Sequence, residues 1–249
     1  MIEIEGLCKS FGDNVVLAGV DLVIEEGECL VIMGPSGTGK SVLLKHIVGL
    51  VDPDRGDVRV DGVSVPKADK KAILEIRSKI SYVFQNSALF DSMTVRGNLI
   101  MGLPEGACDD RAVDCDELAR RALRHVNLEE DALRLLPAEL SGGMQRRVAI
   151  ARAIIGRRRY ILYDEPTTGL DPVNATRINE LIASVNRTVD ATSVIVTHDV
   201  ASAFFLADRI VLLSEGIVQA EGTAAELRTT TNAVVREFLD SAPVGEVVA

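Results

Sequence analysis

Residues 29–50 read CLVIMGPSGTGKSVLLKHIVGL: a short apolar run, a glycine-rich loop and a stretch with helical spacing. Within it, Gly34, Pro35, Ser36, Gly37, Thr38, Gly39, Lys40 and Ser41 fill every fixed position of a phosphate-binding loop. The chemistry explains the spelling. Glycines let the backbone turn its N–H groups inward. Those donors, with the positive end of the following helix, make a cradle for phosphate oxygens. Lys40 has the reach for β- and γ-phosphates, and the Ser41 hydroxyl is suited to Mg²⁺. A strand before the loop and an amphipathic helix after it argue against a chance glycine turn. The stretch predicts an α/β fold that binds a nucleoside triphosphate.

Upstream, residues 2–7 alternate as IEIEGL, the period of a half-exposed strand, and Phe11 follows in a loop. Phe11 reads equally as a stacking platform for a base or as ordinary core. Residues 15–24 read as strand and turn. Downstream, DPDRGDVRVDG suggests a hairpin, Lys67 to Lys79 a helix and ISYVFQ (80–85) a strand ending at Gln85. From Asn86 to Leu140 the pattern is helical throughout, with Thr94 placed to cap a helix over Val95–Met101 and a second helical run from Asp114 to Val126. LSGGMQRRVAIARAIIG (140–156) opens on Ser141, a natural N-cap, and on Gly142-Gly143, which allow close approach of a ligand. YILYDEP (160–166) is a buried strand ending in Asp164 and Glu165, a costly place for acids unless they hold a metal or do chemistry. A helix starts at Pro172, and SVIVT (193–197) is a further buried strand ending at His198. The phosphate loop, Gln85, the two acids and His198 all follow strands, so they would share one edge of a sheet.

Composition narrows the field. The formal net charge of −10, from 37 acids and 27 bases, disfavours nucleic acid as a partner. No apolar run approaches the roughly 20 residues that span a bilayer, and the first residues lack the pattern of a signal peptide. A cytoplasmic chain that meets a membrane only through a partner is expected. Cys8, Cys29, Cys108 and Cys115 lack zinc-site spacing and are expected to be four plain thiols.

Together these stretches resemble the ATPase subunit of an ATP-binding cassette (ABC) transporter over nearly the whole chain. LSGGMQ supplies the family's signature sequence, and the order of phosphate loop, Gln85, LSGGMQ, YILYDEP, the GLD of 169–171 and His198 is highly specific. The resemblance implies a P-loop NTPase fold of the α/β class, with an antiparallel β subdomain and an α-helical subdomain inserted at about 86–140. The ATPase domain would cover 1–229 and a short tail 230–249. It further implies a head-to-tail dimer of two copies, with ATP between the phosphate loop of one and Ser141-Gly142-Gly143 of the other. Residues 34–42, Val42 included, would bind the nucleotide, and Phe11 would stack on adenine. Ser41, Gln85 and Asp164 would arrange Mg²⁺, Glu165 would act as catalytic base, His198 would contact the γ-phosphate and Asp171 would lie at the dimer seam.

In the same family a groove near Gln85 receives a helix of a multi-pass membrane permease. Residues 86–95 would line it, through Leu89, Phe90 and Met93. FQNSALFDSMTVRGN and the closing VREFLD look like the ATPases of MCE-type phospholipid (Mla) and toluene-tolerance systems. That likeness implies lipid cargo, an MCE-domain partner and a place on the cytoplasmic face of a bacterial inner membrane. Other readings are a different small-solute cargo, or an ABC ATPase that pulls on a membrane complex such as cell-division machinery. A soluble ABC protein of translation or repair is disfavoured by the single cassette and the acidic charge.

Overall fold

A computed structural model of the chain describes residues 1–110 and 112–240. The chain forms two compact units, one of residues 1–80 and 192 onward, the other of residues 81–191.

The first unit opens with β1 (Ile2–Phe11) and β2 (Asn14–Ile24), followed by β3 (Cys29–Met33), α1 (Lys40–Ile47), β4 (Arg55–Val60), β5 (Val63–Ser64) and α2 (Lys70–Ser78). β1, β2, β4 and β5 form an antiparallel sheet in the order β2-β1-β4-β5. The expected loop at Phe11 is therefore strand. β1 continues through three register shifts against β2, and these break the period-two pattern by which a strand is recognised.

β6 (Ile80–Val83) leads into the second unit, which holds α3 (Val95–Ile100), α4 (Cys115–His125), α5 (Gly142–Ile155), β7 (Tyr160–Asp164) and α6 (Pro172–Thr188). No strand falls between 84 and 159 among the described residues, as the helical pattern predicts. Side chains start these helices: Thr94 accepts from the Gly97 amide, Asp114 from that of Glu117 and Ser141 from that of Met144. α5 is the hub. Val148, Ala149, Ile150 and Ala151 are all at most 1% exposed, and α3 and α4 pack against the helix.

The expectation of four thiols fails for one pair. Cys108 and Cys115 form a disulfide, because the turns before α4 fold back onto its first residue and bring the two Cα atoms to 5.9 Å. Cys8 and Cys29 take no part in a disulfide.

The chain returns to the first unit with β8 (Thr192–Thr197), α7 (Val200–Leu206), β9 (Arg209–Ser214), β10 (Ile217–Gly222), α8 (Ala224–Arg228) and α9 (Ala233–Asp240). Here β3 runs parallel between β8 and β9, and β10 closes the edge antiparallel to β9. All residues of β3 and β8 are buried, which is why β3 reads as an unbroken apolar run and β8 carries Val194, Ile195 and Val196 in succession rather than in alternation. Leu43, Leu44 and Ile47 of α1 are fully buried, at about 1.5–3 kcal/mol each. That anchorage fixes the start of α1, and with it the loop from β3. Residues 230–240 were expected as tail, but they contain α9, whose Val235 is fully buried. Residues 241–249 of that expected tail lie outside the described residues.

Candidate functional site

In the first unit, the phosphate loop leaves β3 after Met33, and Met33 is the parallel partner of Thr197, the residue before His198. The loop and His198 therefore depart from neighbouring strands at the same end of one sheet. Gly34 has no room for a side chain, since a Cβ there would come within 2.1 Å of the Leu213 carbonyl oxygen. Gly39 has φ +93 and sits against Val16 and Leu17 of β2, so any side chain would be both strained and crowded. Lys40 is 5% exposed, and its ammonium donates to the carbonyl oxygens of Gly34 (2.8 Å) and Pro35 (2.9 Å). Pro35, Ser36 and Gly37 face solvent, Thr38 bonds back to the Pro35 carbonyl, and Ser41 and Val42 are half-buried on the first turn of α1. Phe11, at the end of β1, is 51% exposed, and Lys9 lies 5.4 Å above its ring.

In the second unit, Asp164 ends β7, and its Oδ2 accepts a 2.8 Å hydrogen bond from Tyr82 of β6. Burial, reinforced by the Asp164 charge, pushes the Tyr82 phenol well above its ordinary range, so it remains a donor. Glu165 is 8% exposed and has φ +49, an unfavourable conformation for a non-glycine residue. A turn holds it there: Thr168 donates its hydroxyl to Glu165 Oε2 (3.0 Å) and its amide to the Glu165 carbonyl (3.3 Å). Asp171 caps α6, and its bonds from the Asn174 backbone amide and side chain hold the carboxyl below its ordinary range. Gln85 lies exposed two residues beyond the last residue of β6. Ser141 and Gly142 are exposed at the start of α5, and Gly143 is half-buried.

The segment after Gln85 is held from two sides. Ser87 (φ +60) and Ala88 (φ +44) are both left-handed, and Arg152 of α5 donates to both of their carbonyls at 2.9 and 2.8 Å. Asn98 is fully buried and bonds to the backbone of Phe90, Met93 and Thr94. Phe90 and Met93 are left 48% and 37% exposed, while Leu89 is half-buried.

Sequence reading passed over Tyr82, Thr168, Asn174 and Arg146. Only Tyr82 carried a signal, because a tyrosine inside an apolar strand must find a partner for its hydroxyl.

The donor sets fit a magnesium nucleotide. The stretch 34–42 combines a buried ammonium with glycine-rich backbone and contains no acid. Among the described residues no group of three or more His, Cys, Asp or Glu could hold a metal by itself. Mg²⁺ keeps waters and uses one or two carboxylates beside substrate phosphates, and the Asp164 carboxylate at the end of β7 is of that kind.

Residues 17–168 match the family model described as ABC transporter. The chain is 38% identical over 246 residues to the probable ribonucleotide transport ATP-binding protein mkl of Mycobacterium leprae, covering 99% of this chain and 70% of that one. It is 34% identical over 247 residues to MlaF of Escherichia coli, the intermembrane phospholipid transport system ATP-binding protein, covering 99% and 91% respectively. Among solved structures, it resembles the ATP-binding cassette MJ0796, determined as a dimer in a post-hydrolysis state with ADP and Pi. The TM-score is 0.77 at 34% identity, over 90% of this chain and 99% of that one.

Proposed function

Since this chain belongs to the ABC transporter family and is the ATP-hydrolysing subunit of a transporter, we propose that it works as half of a head-to-tail pair. The phosphate loop of each copy faces Ser141-Gly142-Gly143 of the other. Lys40 and the loop amides hold the phosphates, Val42 lies beside them on the same turn, and Phe11 stacks on adenine. Ser41, Gln85 and Asp164 hold Mg²⁺, which when bound neutralises charge on the phosphoryl oxygens. Glu165 accepts a proton from the attacking water, His198 donates to the γ-phosphate, and Asp171 meets the partner at the seam. Fixed donors facing the developing charge supply most of the catalysis.

The observation that carries this reading is Gly142. A Cβ there would meet only Leu170, at 3.9 Å, so packing within the chain does not demand glycine. At the first residue of α5, glycine still gives up backbone freedom on folding that alanine would not. A ligand that must approach the backbone from outside accounts for that cost. Replacing the base by Glu165→Gln should lower hydrolysis by about a hundredfold or more. ATP binding should persist and the pair should stay closed, as sedimentation would read. A variant that hydrolyses ATP like the parent would sink the mechanism.

We further assign the cargo as phospholipid, by analogy with MlaF, on a complex in which residues 86–95 receive a permease helix and an MCE-domain protein takes part. Exposed Phe90 and Met93 support that docking segment. Among the described residues no helix is long and apolar enough to cross a membrane, so the proposed place is peripheral, on the cytoplasmic face of a bacterial inner membrane. The mycobacterial relative's ribonucleotide name supports a second reading, a different cargo served by the same ATPase. Purification from native membranes, with mass spectrometry of proteins and lipids, separates the two. A permease with an MCE protein and phospholipid supports the first; a different permease supports the second.

A further inference from the structure

Arg146, in the second turn of α5, is 5% exposed and stands among backbone carbonyls. One guanidinium nitrogen donates to the Phe84 carbonyl (2.9 Å), the residue before Gln85. Another donates to the Thr168 carbonyl (3.4 Å), in the turn whose hydroxyl holds Glu165. Its Nε is buried and has no hydrogen-bond partner, and among the described residues no carboxylate forms an ion pair with it.

As a contribution to stability this is a poor arrangement. A buried cation without a counter-charge is costly, and a partly satisfied polar group is worse than an apolar one. What the side chain supplies is geometry. A planar fork can hold two carbonyls at fixed positions, which a lysine ammonium cannot do. Those carbonyls belong to segments 62 and 22 residues away along the chain. Five residues before Arg146, Ser141 caps the same helix.

We propose that Arg146 is a positioning residue that ties the Ser141-Gly142-Gly143 end of α5 to Gln85 and Glu165 of the same chain. The inference rests on the roles assigned above to those residues. In the head-to-tail pair, the helix start contacts the nucleotide held by the partner, while Gln85 and Glu165 serve the nucleotide of their own chain. Movement of α5 on engaging one nucleotide thus resets the metal ligand and the base at the other. Arg146 thus couples hydrolysis at the two sites, since it alone of the α5 arginines described above reaches both the Gln85 segment and the turn that holds Glu165.

The test uses the full chain, with Arg146→Met and Arg146→Lys made alone and in a Glu165→Gln background. In the Glu165→Gln background, Mn²⁺ binding in the presence of ATP is titrated by electron paramagnetic resonance. In the active background, kcat and the Hill coefficient for ATP are measured. Arg146→Met should leave metal-free ATP affinity within about twofold and weaken Mn²⁺ binding about tenfold, the scale seen when the support of a metal ligand is removed. It should also lower kcat, bring the Hill coefficient to about one and leave the melting temperature unchanged or raised. Arg146→Lys should recover part of each loss and secures the test if the methionine variant does not fold. A lower melting temperature with Mn²⁺ binding, kcat and Hill coefficient all unchanged would make Arg146 merely structural and overturn the proposal. A Gln85→Ala control with undiminished Mn²⁺ binding would instead overturn the metal role of Gln85, and the proposal with it.

Discussion

Lys40 and Arg146 are equally buried, 5% exposed each, yet the two units use their cations in opposite ways. Lys40 bonds to carbonyls five and six residues earlier, within its own loop. Arg146 reaches backbone that arrives from distant parts of the chain. The first is a local device: loop and cation come as one piece of sequence and bind the same ligand. The second connects, and its value depends on what the connected segments do. Loss of Lys40 should therefore remove binding, whereas loss of Arg146 should leave binding and disturb timing.

The largest effect expected from breaking this contrast is in Lys40→Met. ATP affinity should fall on the order of a hundredfold, the scale of charge-assisted hydrogen bonds to phosphate, as calorimetry would read. Next comes Gly142→Ala, which sharpens the case of the second unit. Helix stability should rise by up to about 0.5 kcal/mol while ATP turnover falls about tenfold or more. A melting curve and a turnover assay on one preparation check both signs. Smaller still is Tyr82→Phe, which removes the hydroxyl bonded to Asp164 and should cost about 1 kcal/mol in a thermal melt.

The smallest effect concerns His46 of α1, which is 1% exposed. Burial lowers the pKa of its imidazole below 6.5; the Val42 carbonyl opposes this and Lys9 adds to it. The folded state thus binds its proton less readily than the unfolded chain does, and stability is lost as pH falls through about 6.5. His46→Gln should lose less melting temperature than the parent between about pH 7.5 and about pH 5.5.

What was legible in the sequence was local. The phosphate loop, the caps at Thr94 and Ser141, the helical run from Asp114 and the buried strands each lie within a short stretch, so pattern and propensity were enough. The long reaches were not. Tyr82 and Asp164 are 82 residues apart, and Arg146 looks like any arginine on a basic stretch of helix. Phe11 was misplaced because bulges interrupt the alternation of β1. The Cys108–Cys115 bond was missed because a separation of 7 residues does not reveal that a loop folds back. Val235 was visible as an apolar residue, but that it packs in a helix against the rest of the unit was not.

That last helix has a consequence for handling the protein. β10 is the final strand on its side of the sheet, and α8 and α9 lie against it, with Asn232 bonded to the Gln219 carbonyl. An uncovered edge strand offers a row of open backbone groups to any other chain. A version cut short before Ala233 would keep α8 and the Asn232 bond but lose α9 from that cover, and its first symptom should be self-association in concentrated solution rather than any loss of ATP turnover.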